Sequence, residues 1–338
     1  MLPVAGDTAR MSGSEFAELR KQIVSAGLFE KSWRLTMTSV VFSFALLGVS
    51  IGIFFVTTNI WIILLNAALL AWIYGRFGLL AHDFGHMQVF QSAKLNDIWG
   101  NVSGTVVGLS YDWWKQKHNA HHAHTNHEDM DPDIDIPILA YSESQAKAKR
   151  GISRWIVQRQ AWFFFPIQLL AGVSLRTFSW LHIFTEETPE LFVMDLALHM
   201  LHVALYLTII FSTQVWWVGI LFIILHQKLW SAYITSIFAP NHKGMPILEG
   251  QTIDFMREQI LTARNIRPNP IVDCYYGHLN YQIEHHLFPT LARNRMPAAR
   301  KIIKNFCTEK KIEYYETSVF RSYVEIIQFM HRISKYAR

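Results

Sequence analysis

The sequence predicts an all-α integral membrane protein: two transmembrane helical hairpins, four spans in all, joined to a cytoplasmic helical cap. Three observations carry this reading. Hydrophobic residues make up 51% of the 338-residue chain and charged residues only 17%, against a charged share of about 25% in soluble proteins. From Leu35 to Gly75 no residue is charged, a run too long for one span and suited to two of about 20 residues each. A second apolar pair follows, Leu191–Ser212 and Val215–Ala239.

Thr57-Thr58-Asn59 and Ser212-Thr213-Gln214 are the natural turns, giving spans near 35–56, 60–80, 191–212 and 215–239. Neither turn holds Lys or Arg, whereas the segments before, between and after the hairpins are rich in them. The positive-inside rule then puts the hairpin tips outside and both termini and the middle segment in the cytoplasm. The net charge of +5 is read as this topology, with no nucleic-acid partner expected.

Residues 1–34 form a polar N-terminal segment that does not read as a signal peptide. Residues 1–11 read as disordered. Ser12-Gly13-Ser14-Glu15 matches a capping box, and Phe16, Leu19 and Ile23 predict an amphipathic helix ending near Gly27. The domain proper covers 35–310, with its cap in 81–190 and 240–310; residues 311–338 are a basic helical tail. Within the cap, Trp155–Val173 is apolar but interrupted by Arg159 and Pro166, which predicts one or two interfacial helices rather than a further span. Cys274 and Cys307 are too few for a disulfide framework and read as free thiols in a reducing compartment.

The chemistry lies in the histidines. His82 and His86 stand at i, i+4 where the second span leaves the membrane. The stretch His118–Asp133 reads HNAHHAHTNHEDMDPD and places His118, His121 and His122 at i, i+3 and i+4, one face of a helix. Taken alone it fits a solvated His-rich loop as well as a metal tract. Asn241-His242 follows the fourth span, and Gln282-Ile283-Glu284-His285-His286 repeats the i, i+3, i+4 pattern with Gln first. All four groups fall on the cytoplasmic side. Each imidazole brings polar nitrogens that packing alone does not satisfy. Eight histidines are about twice what one four-coordinate ion needs, so two metal ions sharing the shell is the economical reading. A nitrogen-rich, carboxylate-poor donor set suits iron over magnesium or calcium, with zinc and copper chemically open.

These motifs carry a resemblance. HDFGH at 82–86, HNAHH at 118–122 and QIEHH at 282–286 resemble the three histidine boxes of membrane fatty acid desaturases. The flanking WWKQKHN, DPDID, NHKGMP and LNYQIEHHLFPTLARNRMP agree with it. The Gln at 282 resembles the front-end subgroup, which inserts a double bond between an existing one and the carboxyl end. The resemblance implies an O2-dependent non-haem di-iron oxidoreductase that inserts a cis double bond into a fatty acyl chain carried on CoA, a carrier protein or a glycerolipid. It implies iron ligands at His82, His86, His118, His121, His122, His242, His285 and His286, with Gln282 in a ninth place for which His278 is an alternative. Asn280 reaching an iron through water is a further option. No HPGG motif of a fused cytochrome b5 occurs. A separate electron donor is therefore expected, such as ferredoxin or cytochrome b5 with its reductase. The membrane would be the plasma membrane of a bacterium or the endoplasmic reticulum of a eukaryote.

Two other functions stay in view. A lipid or sphingolipid hydroxylase would use the same ligands. A His-rich membrane metal transporter is disfavoured because transporters place ligands near mid-membrane, whereas these lie at or beyond the span ends. Among the remaining residues, His124 and His127 read as supporting or exposed. Asp83, Asp131, Asp133 and Glu284 are placed to orient ligating imidazoles; for Glu284 the alternative is to face water. His226 and Lys228 inside the fourth span fit either a substrate headgroup contact or snorkelling. Arg76 reads as snorkelling, and His199 and His202 as satisfied within the bundle. Arg293 and Arg295 suit an acidic partner or an acyl-carrier headgroup.

Overall fold

The computed structural model describes residues 8–185, 188–251 and 253–338. Residues 1–7, most of the stretch expected to be disordered, lie outside the described residues. Sixteen α-helices follow one another: α1 Thr8–Ser25, α2 Trp33–Val56, α3 Ile60–Gly85, α4 Ala93–Val107, α5 Tyr111–Ala123, α6 Glu143–Ala148, α7 Gly151–Val157, α8 Gln160–Gln168, α9 Ala171–Thr185, α10 Pro189–Thr213, α11 Trp216–His242, α12 Phe255–Leu261, α13 Pro270–Tyr276, α14 Gln282–Leu287, α15 Met296–Lys310 and α16 Val319–Ser334. Two short strands, β1 Asn265–Ile266 and β2 Glu316–Thr317, pair in parallel.

The chain forms two compact units. One comprises the described residues of Met1–Lys31 with Lys117–Phe165 and Ile237–Arg338; the other, Ser32–Gln116 and Pro166–Ser236. The second unit is the membrane unit. Helices α2 and α3, Glu190–Thr213 of α10, and α11 are each long and apolar enough to cross a bilayer. The first turn falls where expected, at 57–59, while the second is shifted to 214–215, with Ser212 and Thr213 still in α10. The spans, however, outlast their apolar stretches: α3 continues through His82 to Gly85 and α11 to His242. Hydropathy marks where lipid ends, not where backbone hydrogen bonding ends. The interrupted stretch after Trp155 becomes α7, α8 and α9, and α8 and α9 form a pair bent by 69° at their break.

Several polar groups in the membrane unit are paired between helices, as lipid favours. Ser50 donates to Asn66 Oδ1 at 2.8 Å, and Asn66 returns a bond to Ser50 O at 2.9 Å, tying α2 to α3. Arg76, expected to snorkel, also has partners within the unit. Its guanidinium donates to Ser43 and Ser39 of α2 at 3.1 and 3.0 Å and lies over the Phe42 and Trp72 rings. His199 bonds Ser179 Oγ at 3.0 Å and Asp195 O at 2.9 Å, the internal satisfaction expected of it. Buried His226 meets Tyr206 OH at 2.7 Å, whereas Lys228 is exposed.

The first unit has its own apolar core, in which Leu19 and Ile23 of α1 pack with Met256 and Ile260 of α12, Ile283 and Leu287 of α14, and Ile303 and Phe306 of α15. Helix α1 starts at Thr8 and runs through Ser12 rather than beginning there. Fully buried Gln160 of α8 closes this unit, bonding Ala140 in both directions at 3.0 Å and donating to Met330 O at 3.1 Å.

The Tyr233 ring of α11 packs on the α3 backbone at Gly75. A Cβ there would lie 2.0 and 2.2 Å from the Tyr233 ring, far inside van der Waals contact. Gly75→Val should therefore destabilise the membrane unit by about 1–3 kcal/mol, the usual cost of overpacking. Thermal unfolding in detergent, compared with Gly78→Val, where nothing lies within 4 Å, checks this. Equal melting temperatures for the two variants would refute the close contact.

Candidate metal centre

Both predicted box helices form. His118, His121 and His122 lie on α5, and Gln282, His285 and His286 on the six-residue α14, with His242 ending α11. In the first unit these six histidines gather. The His122 ring stacks on His286 with centroids 4.1 Å apart and meets His285 edge-on at 4.7 Å. His118 Nε2 and His122 Nε2 are 3.2 Å apart. His121, His242 and His286, all buried, each offer a nitrogen within 4.8 Å of the others'. His82 and His86 belong to the membrane unit, buried side by side with centroids 4.7 Å apart and with Trp114 against His82.

The arrangement of His121, His242 and His286 is chemically specific, because each has one ring nitrogen already engaged. His121 Nδ1 donates to Asp131 Oδ1 at 2.9 Å, His242 Nδ1 to Thr262 O at 3.2 Å, and His286 Nδ1 to Gln259 Oε1 at 2.8 Å. In each ring the Nδ1–H bond leaves Nε2 as the lone-pair nitrogen, the tautomer a metal ligand needs. Gln282 agrees with this: its amide donates to His242 Nε2 at 2.8 Å and accepts from Asn241 Nδ2 at 2.9 Å. Fully buried, His286 Nε2 has no hydrogen-bond partner. A buried polar nitrogen without a partner is costly, and that nitrogen beside ligand nitrogens of His121 and His242 within 4.8 Å makes the donor set of a cation site. The residues present fit a metal ion.

Electrostatics favour the neutral ligand state at His286 but not at His121. Burial among other imidazoles holds His286 well below its ordinary pKa and therefore neutral. Burial also pulls His121 down, but the Asp131 and Asp133 carboxylates outweigh it and raise its pKa. Asp131 itself stays below the usual carboxylate range despite burial, through His121 and its hydrogen bonds. Those bonds include the N–H groups of Asn126 and Asp133, both at 2.8 Å. Asp133 is held low against burial by Lys117, His121 and Lys243. The expected orienting role of Asp131 is therefore present. Asp133 lies farther from His121, at 3.8 Å, and pairs with Lys117.

Other expectations are revised. Glu284 neither orients an imidazole nor faces water: fully buried, it accepts from Tyr314 OH at 2.6 Å and Asn265 Nδ2 at 2.7 Å, and burial pushes its pKa up to about 7. His278 is not one helical turn before Gln282, because α13 ends at Tyr276 and His278 itself is left-handed, with φ of 68°. Its ring stacks on Tyr281. Asn280 turns its amide to Asp273 at 2.8 Å. Asp83 lies 3.8 Å from His82 Nδ1. His127 faces Glu258 at 3.4 Å, a supporting position as expected.

Several residues around the centre were not singled out from sequence. Asn126, left-handed at φ 56°, donates to Pro246 O at 3.1 Å, Thr262 O at 3.3 Å and His242 O at 3.4 Å. Thr125 bridges His121 O and Gln259. Buried Arg264 caps the end of α11, donating to Pro240 O and Lys243 O, each at 2.5 Å, and pairs with Glu325 of α16 at 3.0 Å.

Comparison with known proteins gives a family. The sequence matches the fatty acid desaturase family over residues 58–318. It is 27% identical over 332 residues to the Acyl-lipid (9-3)-desaturase of Physcomitrium patens, covering 96% of this chain and 63% of that protein. It is 29% identical over 342 residues to the Delta(6)-fatty-acid desaturase of Caenorhabditis elegans, covering 95% and 75%. To the Delta(8)-fatty-acid desaturase of Euglena gracilis it is 29% identical over 341 residues, covering 94% and 78%. The chain thus spans less than two thirds of the first relative and about three quarters of the other two. With the histidine boxes, their helices and a match over most of its length, the chain belongs to the fatty acid desaturase family.

Proposed function

We propose that this protein is a front-end fatty acyl desaturase, acting on an acyl chain linked to CoA, a carrier protein or a glycerolipid. The overall reaction converts –CH2–CH2– with O2, two electrons and two protons into a cis –CH=CH– and two waters. The observation that carries the proposal is the set of three converging imidazole Nε2 atoms, each with its Nδ1–H engaged elsewhere. Two irons, when bound, supply the O2 activation needed to remove hydrogen from unactivated methylenes, which no side-chain acid or base achieves. Their proposed ligands are His82, His86, His118, His121, His122, His242, His285 and His286, with Gln282 beside His242 as a ninth group. Front-end regiochemistry is supported by Gln282 heading the third box and by relatives named for Delta(6) and Delta(8) desaturation.

The chain's own part is orientation. Asp131, Thr262 O and Gln259 each hold one imidazole in its ligand tautomer and in a fixed rotation. The neutral state of His286 keeps its lone pair available. We place the centre and both termini on the cytoplasmic side, by the Lys and Arg of the non-tip segments. Electrons come from a partner protein of the ferredoxin or cytochrome b5 class, for which basic Arg293 and Arg295 offer an electrostatic landing.

Expression in cells fed defined unsaturated acids, followed by gas chromatography, tests the activity. The expected product has one new cis double bond between a pre-existing one and the carboxyl end. A hydroxy product without a new double bond would replace this reading with a lipid hydroxylase. The purified protein should hold about two irons, as the ligand count requires, and lose turnover when chelated.

Asp131→Asn keeps the shape but removes the carboxylate from His121. It should lower iron affinity or turnover about 10–100-fold, as lost ligand support does elsewhere, while circular dichroism shows the helices intact. Wild-type iron content and turnover in that variant would refute the orienting role.

A further inference from the structure

The membrane unit contains a second constellation that takes no part in the histidine boxes. A cavity of about 300 Å3 lies among the end of α4 and helices α9, α10 and α11, lined in part by Arg176, Thr177, Trp180, His202, Tyr206 and Gln227. Next to it, across His202 and Tyr206, is an apolar cavity of about 160 Å3 between α2, α3 and α10, lined by residues such as Leu47, Phe54, Leu70, Leu205 and Ile209. His202 lies eleven residues from the tip end of α10 and Gln227 eleven from that of α11. At 1.5 Å per residue this is about 16 Å, near the middle of a hydrocarbon core about 30 Å thick.

Arg176 is the unexplained group there. A guanidinium has five N–H donors. One goes to Val107 O at 2.7 Å, the open carbonyl ending α4, and one to Gln227 Oε1, while the plane lies 4.5 Å over the Trp230 ring. Helix capping thus uses one donor. Among the described residues no carboxylate pairs with this charge, and three donors have no protein partner. A charge at this depth is costly and marks a functional site unless neutralised. The rim includes exposed Val173, Thr177 and Leu207, so entry is from the lipid side.

We propose that this cavity binds the carboxylate of a long-chain fatty acid, with Arg176 as counter-ion and the neighbouring apolar cavity receiving part of the chain. The planar fork matches a carboxylate bidentately. One fixed cation balances one negative charge, whereas a phosphate carrying nearly two would leave charge uncompensated in an apolar wall. This site uses none of the residues proposed as iron ligands and stands independently of the reaction assigned above.

Equilibrium binding of radiolabelled palmitic acid to the purified full-length protein in nanodiscs of neutral lipid tests it, with hexadecanol and lysophosphatidic acid as competitors. Saturable binding is expected, with hexadecanol at least about tenfold weaker, the scale of one charge-assisted pair. Arg176→Gln should remove one bound palmitate per chain. Because that variant also loses a helix cap, Thr177→Trp, which fills the exposed rim, is the second probe and should do the same with the melting temperature unchanged. Unchanged palmitate stoichiometry in both variants, or equal affinity for the alcohol, would overturn the proposal. Preferential displacement by lysophosphatidic acid would overturn the carboxylate assignment in favour of a phosphate.

Discussion

Neutral imidazoles do not gather with their lone pairs pointing inward unless something holds them there. In the first unit that constraint is met by acceptors on the far side of each ring: a carboxylate for His121, a backbone carbonyl for His242 and a side-chain amide for His286. Asp131 follows α5, while Gln259 and Thr262 belong to α12 and its C-cap, so closing the centre requires α5, the end of α11, α12 and α14 to be in place together. The apolar core of α1, α12, α14 and α15 supplies the packing that makes this possible. The site is thus a set of rigid short helices whose facing edges are polar and whose backs are buried.

Much of this was legible in the sequence for a simple reason: periodicity survives without context. Histidines at i, i+3 and i+4 share a helix face wherever the helix is, so His118, His121, His122, His285 and His286 could be read directly, and a charge-free run announces its spans. The supporting groups have no such signature. Gln259 stands 27 residues from His286, and Thr262 contributes only a backbone carbonyl, which every residue owns. Glu284 shows the converse. Its position beside two histidines suggested a role toward them, yet a helix turns successive residues through about 100°, and it faces Tyr314 and Asn265 instead.

The membrane unit follows a different economy. Its polar residues are few, and some are held by another helix, as with Asn66, Arg76 and His199. Sequence alone left those residues ambiguous because snorkelling and interhelical bonding demand the same residue types at the same depth.

The cap that Arg264 places on α11 reaches further than its own helix. Its guanidinium holds the carbonyls of Pro240 and Lys243, which flank His242, and is itself anchored by Glu325, whose other oxygen accepts from Tyr315 and Arg321. The last thirty residues contain no proposed ligand, yet through this one buried cation they set the pitch and azimuth at which an imidazole some eighty positions earlier meets the centre. The C-terminal helix therefore works as a keystone: the single carboxylate at its inner edge anchors the cation that holds the end of α11.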